Sequence, residues 1–144
     1  MKSRIVIQKV APEAYEALMN LEKYNATTSV TPIQKELIKI RASQLNGCAF
    51  CINMHTADAR KYGETEKRIY LLSAWREADV YTEEEKAILA LTEEITMISN
   101  HVSEEVYENA ARLFDEKYLA EIILLIITIN SWNRLAIATG MRAV

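Results

Sequence analysis

The stretch NGCAFCINMH, residues 46–55, holds both cysteines and one of the two histidines of a 144-residue chain. Cys48 and Cys51 have C-x-x-C spacing, and His55 follows four residues after the second cysteine. On a helix that begins near Cys48, residues three and four apart are neighbours, so the three side chains form one stripe. A helix N-terminus carries unpaired N–H groups and the positive end of the dipole, which favour an anion. A cysteine placed there is pushed toward thiolate, the nucleophilic form, and an imidazole one turn along can take or return its proton. A second cysteine beside it can close a disulfide.

Glu36 is a fourth candidate. It is flanked by Ile33, Leu37 and Ile40, with Ser43 two turns along on its own side. A carboxylate on an apolar face costs free energy unless it is protonated or paired, which suits it to trading a proton. The Asn46–Gly47 connection is short enough to fold its helix back against the one carrying the cysteines. A pair of inert buried thiols is a poor account of C-x-x-C spacing. Zinc is a stronger rival, with Cys48, Cys51, His55 and Glu36 as four conceivable ligands, although structural zinc sites usually draw on a second closely spaced pair. Haem attachment needs a histidine directly after the second cysteine, where this chain has Ile52. A thioredoxin-like setting needs a preceding strand, and none is expected here. The pattern favours a redox-active dithiol, with no metal and no cofactor.

The elements that must hold these residues read as helices. With three Gly and two Pro in the whole chain, there is little turn chemistry for many short strands. A first helix opens at Pro12 and runs to about Tyr24. Thr31, Pro32 and Gln34 form a capping-box start for a second, which runs to about Asn46, where Gly47 interrupts it. The third begins at the cysteines and reaches Tyr62, with Gly63 as its stop. A short helix is expected around Glu66–Trp75. Thr82 and Glu85 make another capping box, followed by Ile88, Leu91, Ile95 and Ile98 on one face. Ser103 caps a helix bearing Val106, Ala110 and Leu113, and a last one spans about Glu116–Ala138. Its first half is apolar nearly all round, which places it centrally or between subunits. Asn130, Trp132, Asn133 and Arg134 interrupt it and are expected to satisfy buried or interface groups, while His101 reads as a surface residue. Ser3–Val10 reads either as a short strand or as an extended arm.

Composition sets the outer bounds. Half the residues are hydrophobic and 26% are charged, an ordinary globular balance for one domain. A net charge of −3 with scattered Lys and Arg argues against nucleic acid as the main partner. The apolar run Leu119–Ile129 carries Glu121 and falls short of the roughly 20 residues that span a bilayer, so no membrane is expected. The opening residues lack the apolar length and cleavage site of a signal peptide, which makes the cytoplasm the expected location. In that reducing compartment a close cysteine pair is more often redox-active or metal-binding than structural.

The segment ELIKIRASQLNGCAFCINMHTADARKYG resembles the core motif of the AhpD-like alkylhydroperoxidases, within the carboxymuconolactone decarboxylase superfamily. Glu36, Ser43, Asn46, Cys48, Cys51 and His55 stand at the motif positions, as E-x11-C-x2-C-x3-H. The likeness continues through LLSAWREADVYTEEEKAILALTEEIT to NSWNRLAIATGM and so covers most of the chain. It implies an all-α, single-domain AhpD-like fold over residues 1–144 and assembly as a dimer, trimer or hexamer, residues 1–11 being an arm if they are not a strand. It implies that Cys51 is the thiolate a hydroperoxide oxidises, that Cys48 resolves the product as a disulfide, and that Glu36 and His55 relay the proton. It further implies re-reduction by a dihydrolipoyl protein, or electron transfer to a peroxiredoxin. Phe50 departs from the pattern, since the best-known alkylhydroperoxidases have a histidine just before the second cysteine. The superfamily's decarboxylases generally lack the cysteine pair, so their ring chemistry is not carried over. Two other functions fit the same residues: a disulfide exchanger without peroxidase activity, and a non-catalytic redox sensor or zinc-stabilised interaction module.

Overall fold

Few glycines and prolines, six of the helix starts capped by a side chain, and apolar residues at helical spacing produce an all-helical chain. In this computed structural model, which describes residues 4–144, the described residues hold α-helices and short 3-10 turns and no strand. The helices are α1 (Ile7–Val10), α2 (Pro12–Ala26), α3 (Pro32–Asn46), α4 (Ala49–Lys61), α5 (Glu66–Leu71), α6 (Glu83–Thr96), α7 (Glu104–Leu113) and α8 (Glu116–Thr139). Thr31, Cys48, Thr65, Thr82, Ser103 and Asp115 each accept a backbone N–H from the first turn of the following helix. The Thr31–Gln34 and Thr82–Glu85 pairs are reciprocal capping boxes, as their spacing predicts.

α3 is the organising helix, packed against α4, α6 and α8. Its Ile38 and Ala42 enter one core with Ile88 and Leu91 of α6 and Ile122, Leu125, Ile126 and Ile129 of α8. Its Leu37 and Ile40 enter a second, with Ala59, Leu72, Trp75, Tyr81 and Leu89. Leu37, Ile38, Ile40, Ile122 and Ile126 are fully buried, each contributing about 1.5–3 kcal/mol by transfer from water. α8 is long and apolar enough, by length and composition alone, to cross a membrane; half of its apolar window is buried here as core.

Three expectations are corrected. The part of Ser3–Val10 within the described residues is not a strand: every neighbour is a helix and offers no sheet edge. Arg4 instead reaches the end of α8, with its N–H donating to Thr139 O at 3.1 Å and Nη1 to Ala138 O at 2.7 Å, before the single turn of α1. Residues 1–3 of the expected arm lie outside the described residues. The helix expected over Glu66–Trp75 ends at Leu71, and the chain tightens into a 3-10 turn at Leu72–Glu77, where Ala74 leaves helical geometry (φ −121°, ψ 31°). Ile98 does not share the buried face of Ile88 and Leu91, because α6 ends at Thr96 and leaves it in a 3-10 turn, 56% exposed.

Glu93 ties α6 to its neighbours, accepting from Arg41 Nε at 2.9 Å, Trp75 Nε1 at 2.8 Å and Arg76 Nη1 at 2.5 Å. Burial alone would push this carboxyl up, but the donors outweigh it and hold it below its ordinary value. A depressed folded-state pKa gives stability that is present above the unfolded value, about 4.3 for Glu, and is lost as pH falls through the folded one. Urea melts should therefore weaken with acidification below about pH 4.3. A Glu93→Gln variant is expected to start less stable at neutral pH and to decline less steeply.

Candidate redox site

The site begins with how α3 ends. Gly47 adopts the left-handed conformation (φ 70°), its N–H bonds Gln44 O at 3.2 Å, and Cys48 N–H bonds Ser43 O at 3.0 Å. This pair of bonds is a Schellman closure. The residue that completes it, Cys48, is also the N-cap of α4: its Sγ accepts the N–H of Cys51 at 3.3 Å. One turn therefore stops α3, starts α4 and folds the two helices against each other.

Cys48 and Cys51 are joined as a disulfide, with Cα atoms 5.3 Å apart. Both are buried and pack with Ala136 of α8 and the partly buried Phe50. His55 lies one turn further along α4. Its Nδ1 is 3.1 Å from Oε2 of Glu36, which comes from α3 and is 4% exposed. A carboxylate only accepts, so facing it Nδ1 carries the hydrogen and Nε2 is left free to act as a base. All four residues singled out by sequence spacing are thus gathered where α3 and α4 meet.

Several neighbours were not expected. Lys39, one turn along α3, places Nζ 3.5 Å from Glu36 Oε1 and 3.2 Å from Glu22 Oε1 on α2. Burial would lower this ammonium's pKa, but Glu36 and Glu22 together hold it above its ordinary value. Trp132 donates from Nε1 to the other Glu22 oxygen at 3.0 Å. The i, i+3 spacing of Glu36 and Lys39 was a visible signal for this pair; Glu22, from a separate helix, had none.

A polar ladder fixes α8 against the site. Asn46 Nδ2 donates to Asn130 Oδ1 and Asn133 Oδ1, both at 2.9 Å, and Asn133 Nδ2 donates to Ser43 Oγ at 2.9 Å. Ser43 in turn donates to Lys39 O at 2.6 Å. Asn130 and Asn133 therefore satisfy buried groups, as their interruption of an apolar helix suggested, while Trp132 bonds the partly buried Glu22 and Arg134 turns back to Asn130 O and Oδ1. His101 is exposed, also as expected.

The metal-compatible group differs from the one the sequence offered. The two sulfurs are bonded to each other and present no thiolate in this state. Ligand atoms of Glu36, His55 and Asp58 lie within 4.8 Å of one another, but the Lys39 ammonium beside Glu36 competes with any cation there. A groove of about 370 Å³, lined in part by Gly47, Cys48, Ala49, Ile137 and Met141, reaches the first cysteine.

A helical hairpin with a cysteine pair at the junction, a carboxylate before it and a histidine after it defines the class. Residues 12–94 match the carboxymuconolactone decarboxylase family, and the chain belongs to it as an AhpD-like member. An uncharacterised protein of Bacillus subtilis (strain 168), YdfG, is 51% identical over 144 residues, covering 99% of this chain and 98% of that one. A crystal structure from Agrobacterium tumefaciens superposes with a TM-score of 0.95 at 38% identity, covering 99% of each chain; its name joins unknown function to a suggested role as the antioxidant defence protein AhpD. A peroxidase-related protein with an alkylhydroperoxidase AhpD core, from Ralstonia eutropha JMP134, shares the fold (TM-score 0.82, 20% identity, 95% of this chain and 74% of that one).

A Cβ added at Gly47 meets nothing within 4 Å, so substitution there strains the backbone without a clash. Gly47→Ala should cost about 1–2 kcal/mol, read from urea melts, and Gly47→Asn less, because Asn enters the left-handed region more readily.

Proposed function

We propose that the protein is a thiol-dependent peroxidase that reduces hydroperoxides through a Cys48/Cys51 dithiol–disulfide cycle. The observation that carries this reading is a cysteine pair within bonding distance at a helix N-terminus, one turn from a histidine bound to a buried carboxylate. Cys51, at the third position of α4, loses its proton to His55 while Glu36 holds the opposite ring nitrogen. The thiolate attacks the terminal hydroperoxide oxygen, the O–O bond breaks, and the alkoxide leaves as an alcohol with a proton from the relay. The Cys51 sulfenic acid then condenses with the Cys48 thiol, forming the disulfide and releasing water. A two-electron dithiol, of the dihydrolipoyl kind, then reduces the disulfide by exchange and leaves as its own disulfide, and the reduced pair can alternatively pass its electrons to a peroxiredoxin. The suggested antioxidant role of the Agrobacterium relative and the peroxidase-related description of the Ralstonia one support the same chemistry. The cycle suits a reducing, cytoplasmic setting.

A second reading, disulfide exchange without peroxide, is favoured by the groove lined in part by Cys48, which would bring a partner thiol to that end of the pair. Assembly with further copies of the chain is part of both readings. Ile98, Tyr107 and Ile127, each about half exposed, line a mostly apolar groove of about 540 Å³ between α6, α7 and α8 that a second copy would cover. Sedimentation at micromolar concentration measures it, and a strict monomer removes that part.

Stopped-flow oxidation of the reduced protein by an organic hydroperoxide separates the two enzymatic readings. A Cys51 rate no faster than free cysteine leaves only exchange. Cys51→Ser should abolish turnover. Cys48→Ser should permit one oxidation to a trappable sulfenic acid and no ring closure, and equal effects would mean the roles are misassigned. Glu36→Gln should slow oxidation about 100-fold, the scale of a lost proton relay, with the circular dichroism of the fold unchanged.

A further inference from the structure

An ammonium is costly to bury, yet Lys39 is held with its side chain only 13% exposed at the centre of the α2–α3–α4 junction. Its contacts divide the Glu36 carboxylate between two partners: Oε1 faces Lys39 at 3.5 Å and Oε2 faces His55 at 3.1 Å. Glu22 holds Lys39 from the other side and is itself held by Trp132. The Lys39 carbonyl takes the Ser43 hydroxyl, which Asn133 of α8 also engages, so the α3 backbone at this point is anchored too. A recessed cavity of about 170 Å³ adjoins the cluster, lined in part by Glu22, Asn25, Lys35, Glu36, Lys39 and Tyr62. Asn25 Oδ1 is buried with no hydrogen-bond partner among the described residues, although Nδ2 of the same side chain donates to Thr128 Oγ1 at 2.8 Å.

We propose that Lys39 is a positioning residue for the thiol chemistry: clamped between Glu22 and Glu36, it fixes the Glu36 carboxylate against His55 and supplies positive charge that offsets the carboxylates of this junction when Cys51 ionises.

The charges decide the direction. Glu22 from α2, Glu36 from α3 and Asp58 from α4 bring negative charge to the junction, with Glu121 of α8 acting on the neighbouring Lys35. Lys39 and Lys35 from α3 oppose them, together with His55 when protonated. Burial, and after it Lys39 itself, hold Lys35 below its ordinary value, which leaves Lys39 as the firmer cation. Tyr62, at the end of α4, adds a neutral hydroxyl to the cavity wall. With Lys39 removed, Glu22 and Glu36 lose the cation between them, and a Cys51 thiolate adds a further negative charge to an unbalanced site. Ionisation of Cys51 then requires a higher pH. The proton itself has a place to go: the Cys51 S–H proton passes to His55 Nε2, and the imidazolium that forms keeps its Nδ1–H on Glu36.

This inference rests on the redox reading of Cys51, and its test uses no peroxide, so the two can fail separately. The reduced protein is alkylated with iodoacetamide from pH 5 to 10, and modification of Cys51 is followed by mass spectrometry in the wild type, Lys39→Met, Lys39→Gln, Lys39→Arg and Glu22→Gln. The expected result is an alkaline displacement of the Cys51 profile by about one pH unit in Lys39→Met and Lys39→Gln, a roughly tenfold lower rate at neutral pH. Lys39→Arg should restore the wild-type profile. Glu22→Gln removes one of the opposing carboxylates and leaves Lys39 to Glu36, and should shift the profile the other way, to lower pH. Lys39→Met stands to lose its fold, so folded material is verified by circular dichroism and the comparison is carried by Lys39→Gln and Glu22→Gln if needed. A poised wild-type thiol whose profile is the same in every folded variant overturns the role of Lys39 and leaves the peroxidase reading intact. A wild-type Cys51 that titrates as an ordinary thiol removes the redox reading and this inference with it.

Discussion

A single left-handed residue lets one helix end and the next begin within two positions, and every distance at the site follows from that turn. Gly47 closes α3, and Cys48 both completes the closure and caps α4. Had the connection been longer, the hairpin could open, and Glu36 near the start of α3 would have no fixed relation to His55 on α4. The tight turn makes the two helices a rigid pair, and the cores on either side of α3 hold that pair in place. The chemistry sits where the backbone has least freedom to move.

The polar interior is built in the same spirit. Buried amides, hydroxyls and charges are expensive unless each finds a partner, and once partnered they specify a single arrangement. The Asn46–Asn130–Asn133–Ser43 ladder allows α8 one rotation and one register against α3. The Trp132–Glu22–Lys39–Glu36–His55 chain does the same for α2 and α4. Both systems draw on the face of α3 that carries Glu36, Lys39 and Ser43, spaced by three and four residues. That face carries the polar contacts of the site, while Leu37, Ile38, Ile40 and Ala42 serve the apolar cores.

Much of this was written locally in the chain. The caps at Thr31, Thr82 and Ser103 act within one turn of themselves, so their residues suffice to place helix starts. Gly47 and Gly63, both at positive φ, mark ends for the same reason. The Cys48–Cys51–His55 stripe depends only on helical repeat. What escaped depends on separate segments meeting. Lys39 looks like a surface lysine until Glu22 of α2 is brought beside it, and Arg4 looks like the start of a strand until the end of α8 offers it carbonyls. The α6 face was extended one turn too far to Ile98 because apolar spacing continues past the point where hydrogen bonding stops.

The double duty of Cys48 has a consequence for how the molecule reports its own state. Its sulfur is the acceptor for the Cys51 amide, and in the proposed cycle that sulfur would change from disulfide to thiol or thiolate. A cap that alters its hydrogen-bonding power alters how readily the first turn of α4 frays. Deuterium uptake at the amides of residues 50–52 would then differ between the oxidised and reduced pair, with the opening of one helical turn as the readout.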